Sequence, residues 1–129
     1  MNRLKPKADT VVADVVENEA VIINVETGIY YSTEGIGGWI WSNVAVAAPL
    51  EAVRDRVIAH SGDADAAHAC DAFVARLREE RLVEDADAGA DEALPAPARY
   101  EAPELVIYRD MKDLMALDPP MPILDEQAS

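Results

Sequence analysis

Only one cysteine, Cys70, occurs in the 129 residues, so no disulfide can close within the chain. A reducing, cytoplasmic setting is the economical expectation. Aromatic residues are also scarce, with one Phe, two Trp and four Tyr, and the core must be assembled mainly from Val, Ile, Leu and Ala. Cations are few: 11 Lys and Arg stand against 25 Asp and Glu, a formal charge of −14. A field of that sign repels phosphate backbones, so nucleic acid is not an expected partner. No run approaches the roughly 20 apolar residues needed to span a bilayer, and no membrane partner is expected. The cations Arg3, Lys5 and Lys7 precede Ala8 to Val16, which Asp9 and Asp14 interrupt, so this terminus makes a poor signal peptide.

The length suits one compact domain with a tail. Residues 1–9 read as a flexible N-terminus and 10–84 as the folded domain. From Thr10 three β-branched or aromatic runs are separated by Glu17-Asn18-Glu19 and by Glu26-Thr27-Gly28, which predicts three antiparallel strands and two turns. The run from Ala20 to Val25 is nearly all apolar and fits a central strand, while Gly28 to Ser32 closes the sheet at an edge.

After Ser32 the period becomes helical. Ile36, Ile40, Trp41 and Val44 predict a first helix over Glu34 to Val46, with Thr33 placed to cap it. Gly37 and Gly38 weaken that helix and point to close approach by another element. Pro49 opens a second helix with a Leu50, Val53, Val57 stripe, which Ser61-Gly62 stops. A third runs from about Ala64 to Arg81, its inner face holding Ala66, Cys70, Val74 and Leu77, or a rotated face that includes Phe73. Leu82-Val83 closes the domain. Residues 85–103, acidic and rich in Ala and Pro, bury too little apolar area to offset chain entropy and read as a linker. In 104–129, Ile107, Met111, Leu114 and Met115 recur at helical spacing until Pro119-Pro120, which predicts a short C-terminal amphipathic helix.

The order of three strands and three helices, with GIYYSTEGIGGWIW at their junction, resembles the PqqD-like family, the recognition elements of ribosomally made and modified peptides. Gly28, Tyr30, Tyr31, Gly37, Ile40 and Trp41 fall on the family's junction positions without a gap, and the match covers about Val11 to Glu84. One departure is Glu34, where the family commonly has Asn. The resemblance implies an α+β, winged helix-turn-helix-like fold. It also implies a non-catalytic adaptor, which binds the leader of a precursor peptide and presents it to a peptide-modifying enzyme. In the family an extended leader adds as a fourth strand at the edge of the third strand, beside the third helix, by β-augmentation. The positions implied are Gly28, Ile29, Tyr30, Tyr31, Ser32 and Thr33 on the strand, with Ala69, Ala72, Phe73 and Arg76 walling the groove.

Each such residue also has a plainer reading. Tyr30 and Tyr31 point to opposite faces of a strand, so one serves the core. Trp41 reads as a core anchor. Trp39 lies off the main stripe and is a candidate for partner docking, along with Ile107, Met111, Leu114 and Met115 of the terminal segment; filling a gap under the second helix is the alternative for Trp39. His68 and Cys70 diverge on a helix and no second Cys completes a metal set, so neither metal nor other cofactor is expected. Cys70 reads as a small buried hydrophobe, and no catalytic constellation is identifiable. Two other functional classes remain open, a winged-helix nucleic-acid regulator and a structural subunit of an enzyme complex. A free edge strand also permits a homodimer by strand pairing.

Overall fold

The computed structural model describes residues 3–97 and 99–109. Its elements are β1 (Leu4–Pro6), β2 (Val11–Val16), β3 (Glu19–Asn24), β4 (Ile29–Thr33), α1 (Ile36–Ala45), α2 (Leu50–Ser61), α3 (Asp65–Glu79), β5 (Val83–Asp85) and β6 (Val106–Tyr108). The fold is α+β with three helices, as the periodicities predict. The main sheet, however, has four strands in the order β2-β3-β4-β6 rather than three, and β1 pairs with β5 in a second small sheet. All pairings are antiparallel. Among the described residues no wing hairpin follows α3, because β5 turns back to β1 and β6 joins β4.

The two hairpins follow from their turn residues. Glu17 and Asn18 both take positive φ, 50° and 68°, the backbone that a two-residue hairpin needs to match strand twist. Between β3 and β4 the buried Asn24 turns the chain with its side chain. Its Oδ1 accepts the Glu26 and Thr27 amides at 2.9 and 3.2 Å, and Gly28 (φ 79°) returns its N–H to the Asn24 carbonyl. Register then sets the faces. Ala20, Ile22 and Asn24 of β3 lie opposite Thr33, Tyr31 and Ile29 of β4 and face the helices. On the other face Val12, Ile23, Tyr30 and Tyr108 form one row across all four strands. The apolar text of β3 is thus divided between a buried face and an open one, where Val21 is 42% exposed.

Helix α1 carries Ile36, Trp39, Ile40, Trp41 and Val44 into the core. Its N-cap is Gly35, at φ 61°, without a side-chain cap bond. The predicted Thr33 cap is not made: Thr33 is buried and its Oγ1 has no hydrogen-bond partner among the described residues. Gly38 shows why that helix tolerates glycine, since a Cβ there would overlap the Asn18 carbonyl at the tip of the β2–β3 hairpin. The hairpin therefore rests on the helix backbone. Helix α2 stops at Gly62, which takes the left-handed conformation and donates to Ile58 O, and buries Val53 and Val57. Helix α3 uses the rotated face, with Ala66, Cys70, Phe73 and Leu77 buried and Val74 at the margin.

The segments read as a flexible terminus and a solvated linker are instead tied to the domain. Leu4, Lys5 and Pro6 pair with Asp85, Glu84 and Val83. The Arg3 guanidinium donates to the carbonyls of Ala47 and Ala90 at 2.7 and 2.6 Å, and Ala90 N–H donates to Val46 O. Further on, Leu94 is gripped from both sides: its N–H donates to Asn43 Oδ1 at 2.8 Å and its carbonyl accepts Trp39 Nε1 at 3.2 Å. Ala93 is buried. Composition could not signal this strap, because its few apolar contacts, Ala93, Leu94 and Tyr100 among them, are too sparse to form a periodic stripe, and main-chain hydrogen bonds fix it alongside them.

Two substitutions test these contacts. Gly38→Ala is expected to lower unfolding free energy in urea by about 1–3 kcal/mol through overpacking against Asn18. Asn43→Ala is expected to cost about 1–3 kcal/mol by leaving buried partners unsatisfied, and to speed hydrogen exchange at the Leu94 amide. An unchanged Leu94 rate would mean that Asn43 does not hold the strap.

Candidate functional site

Strand β4 pairs with β3 along one side, and its sequence (IYYST) alternates inward and outward side chains. The outer edge of this strand was expected to present free main-chain groups from Gly28 to Thr33. It is covered instead by the chain's own β6, with Tyr30 opposite Tyr108, Tyr31 opposite Ile107 and Ser32 opposite Val106. The predicted C-terminal helix is therefore corrected over 106–108, which is strand. Leu105-Val106-Ile107-Tyr108 is a short apolar run whose period cannot distinguish the two states, and β4 offers it a ladder. The helical-face candidate Ile107 lies in this strand, packed against the core from the edge. Met111, Leu114 and Met115 lie outside the described residues.

The inward side chains of the added strand meet a polar cluster at the end of α3. Tyr31 is buried and its phenol donates to Glu80 Oε1 at 3.0 Å. Arg109 donates to Glu80 Oε2 at 2.8 Å. Arg76 Nε stands 3.9 Å from the same oxygen. The Glu80 side chain is only 11% exposed. Burial by itself would push its carboxyl pKa up, but the hydrogen bonds from Arg109 and Tyr31 and the charges of Arg109 and Arg76 outweigh it and leave the pKa lowered. Tyr31 moves the other way: burial first, then the bond to Glu80 and its negative charge, raise the phenol to about 12.

The residues read from the sequence are only partly gathered here. Tyr31 and Arg76 converge on Glu80, and Ile29, Tyr30 and Ser32 lie half-buried along the strand. Gly28 is exposed in the turn, and Thr33 is buried beneath α1 near Gly37. On α3, Phe73 belongs to the core, with its ring against Gly37, while Ala69 is half-buried and Ala72 is exposed. Glu80 and Arg109 were missed by sequence reasoning. The Arg76 and Glu80 pair had a signal, since four residues on a helix bring them together, but the link to Tyr31 and Arg109 exists only in the fold.

Trp39 is corrected as a docking candidate: it is 2% exposed, with the strap across its indole nitrogen. Trp41 is the core anchor expected. Cys70 is buried, and desolvation, then the charge of Asp71, raise its thiol to about 11, which leaves it protonated and a poor nucleophile at neutral pH. It lies at the base of a groove of about 290 Å³ between α2 and α3, lined by Leu50, Val53 and Val74. Among the described residues no group of three or more His, Cys, Asp or Glu converges as a metal site.

The Tyr31–Glu80 pair has a pH signature. A phenol whose folded pKa exceeds its unfolded value of 10.0 contributes stability that is complete below pH 10 and lost as pH rises toward about 12. The Glu80 carboxyl has the opposite sign, with stability present above the ordinary carboxylate pKa and lost as pH falls through the lowered one. Burial raises Tyr100 as well, so ultraviolet titration should show Tyr31 as the last tyrosine to ionise, near pH 12, and Tyr31→Phe should remove that last phase. A phase near pH 12 that survives Tyr31→Phe would assign the most raised phenol elsewhere.

A family model described as coenzyme PQQ synthesis protein D (PqqD) matches residues 19–83. The match begins at β3 and ends at the first residue of β5, so it contains β4 and all three helices and leaves β6 outside. No curated protein and no solved structure matches the chain. PqqD proteins are non-catalytic accessory proteins, and membership supports a peptide-binding adaptor at the level of the family. The matched span carries the strand edge and the helix beside it, and by this match the chain belongs to the PqqD family.

Proposed function

We propose that this domain captures the leader of a ribosomally made precursor peptide on the outer edge of β4 and presents the peptide to a modifying enzyme, performing no chemistry of its own. The observation that carries the reading is the β4–β6 pairing. The edge of β4 accepts an extended antiparallel segment and seats alternate side chains of that segment against the core. Main-chain hydrogen bonds would give a leader affinity independent of its sequence, and the inward positions would give selectivity. On the inner side those positions face Tyr31 and the end of α3; on the outer side they join the row of Val12, Ile23 and Tyr30.

This mode has a direct test that leaves the protein intact. The leader portion of a short precursor encoded beside this gene is synthesised with single N-methyl groups at successive residues, and each version is titrated calorimetrically. Methylation at residues whose N–H faces β4 should weaken binding at least tenfold, and methylation at the alternating residues should not. Absence of binding by the unmethylated leader rejects the adaptor, and equal effects at both parities reject strand addition.

A further inference from the structure

Strand β6 arrives from outside the span that the family model matches. The family match ends at residue 83, and β6 is contributed by the extension beyond it. Its seat is small: three residues of β6 pair with three of the five in β4. The strand is delivered by the strap, whose last hydrogen-bonded anchor among the described residues is the grip of Asn43 and Trp39 on Leu94, followed by the packing of Ala96 and Tyr100 on the core. A tether that short holds its end at an effective concentration on the order of millimolar, which compensates for a short ladder. An added strand that brings more pairs, or better side chains, can displace it by mass action.

The inward side chains describe what the seat selects. Leu105 and Ile107 pack against the core cluster, and Arg109, the next position of the same parity, reaches Glu80. Val106 and Tyr108 go to the other face. Glu80 has divided its two oxygens between a fixed partner and a movable one: Tyr31 holds Oε1, whereas Oε2 is held at 2.8 Å by Arg109 of the extension and approached at 3.9 Å by Arg76. When β6 leaves, a largely buried carboxylate loses its nearest cation, an arrangement that costs free energy until another cation arrives. The acidic chain around it draws basic segments toward the site.

We infer that residues 105–109 are a tethered stand-in for the leader, and that the leader which displaces them is an antiparallel segment with apolar residues at two alternate positions and Arg or Lys at the next, seated on Glu80. The inference rests on the adaptor reading for the identity of the displacing strand. The occupation of β4 stands apart from that reading. A stand-in seated nine-tenths of the time weakens the apparent affinity of a competing leader about tenfold, so the chain discriminates against segments that only match the backbone.

The test uses the full chain and a fluorescent synthetic octapeptide with the sequence of residues 103–110, PELVIYRD. In the variant Ile107→Asp with Arg109→Glu, a charge opposes the core and another opposes Glu80, which frees β4. This variant should bind the octapeptide at least tenfold more tightly than the native chain does. An octapeptide carrying Glu in place of its Arg should bind the variant at least tenfold more weakly, and adding Glu80→Lys should reverse that preference. Arg109→Ala alone, at an exposed residue, provides a version that retains the fold; it should speed amide exchange over Val106–Tyr108 and tighten octapeptide binding several-fold. Equal binding to the native chain and the freed variant, or no binding to either variant while both remain folded, overturns the stand-in. Equal binding of the Arg and Glu octapeptides overturns selection by Glu80. If the leader binds by alternating N-methyl sensitivity while the octapeptide does not bind, the adaptor reading stands and this inference fails. The converse result removes the adaptor reading and with it the leader as the displacing strand, and leaves residues 105–109 as a displaceable occupant of β4 selected by Glu80.

Discussion

The N–H and C=O groups along the outer side of β4 need hydrogen-bond partners, and how this need is met organises the rest of the molecule. Unsatisfied main-chain groups on a sheet edge invite any extended segment within reach. Here the segment is the chain's own, and the strap that delivers it has to pass over α1 on the way. Trp39, Asn43 and Arg3 serve that passage, each through a hydrogen bond to a main-chain atom of the strap. Tyr31 then links the ladder to the helices, since it pairs with Ile22 on one side and Ile107 on the other while its phenol holds Glu80 at the end of α3.

The family domain and its extension combine the same forces in different proportions, the extension adding hydrogen bonds to fewer apolar contacts. The core of residues 10–84 rests on burial of Val, Ile, Leu and two Trp, a non-directional term that grows with apolar area. Arg3, Asn43 and Trp39 reach the extension through individually modest hydrogen bonds, worth about 1 kcal/mol each. A structure built in that way can lose its added strand without losing its core. The homodimer expected from a free β4 edge meets the same fact, because that edge is already occupied.

Much of the fold was legible in the sequence because local rules and tertiary context agree there. Glu26-Thr27-Gly28 mark a turn that the chain in fact makes, with Asn24 bracing it, Gly62 ends α2, and Gly37 and Gly38 announce a close neighbour that proves to be Thr33 for the first and the Asn18 carbonyl for the second. The misreadings share one cause. Acidic, Ala-rich text from 85 to 103 offers little side-chain burial, yet backbone hydrogen bonds and a few apolar contacts fix it; and the helical spacing of Ile107 with three later apolar residues cannot show that a strand edge waits beside it. Trp39 follows from the same misreading, since the strap closes over its indole nitrogen. The site itself was legible as an edge and a helix, but Glu80 and Arg109 belong to it through contacts 49 and 29 residues apart along the chain.

The open face of the sheet acquires a different meaning from this arrangement. Val12, Ile23 and Tyr30 belong to the permanent sheet, but the fourth member of their row, Tyr108, belongs to whichever strand occupies the edge. Because side chains alternate, any occupant writes half of its residues onto that outer surface. If strands exchange at this edge, a protein that docks on this face would meet a composite epitope, three strands constant and one variable, and would read the identity of the bound strand from the side opposite to Glu80.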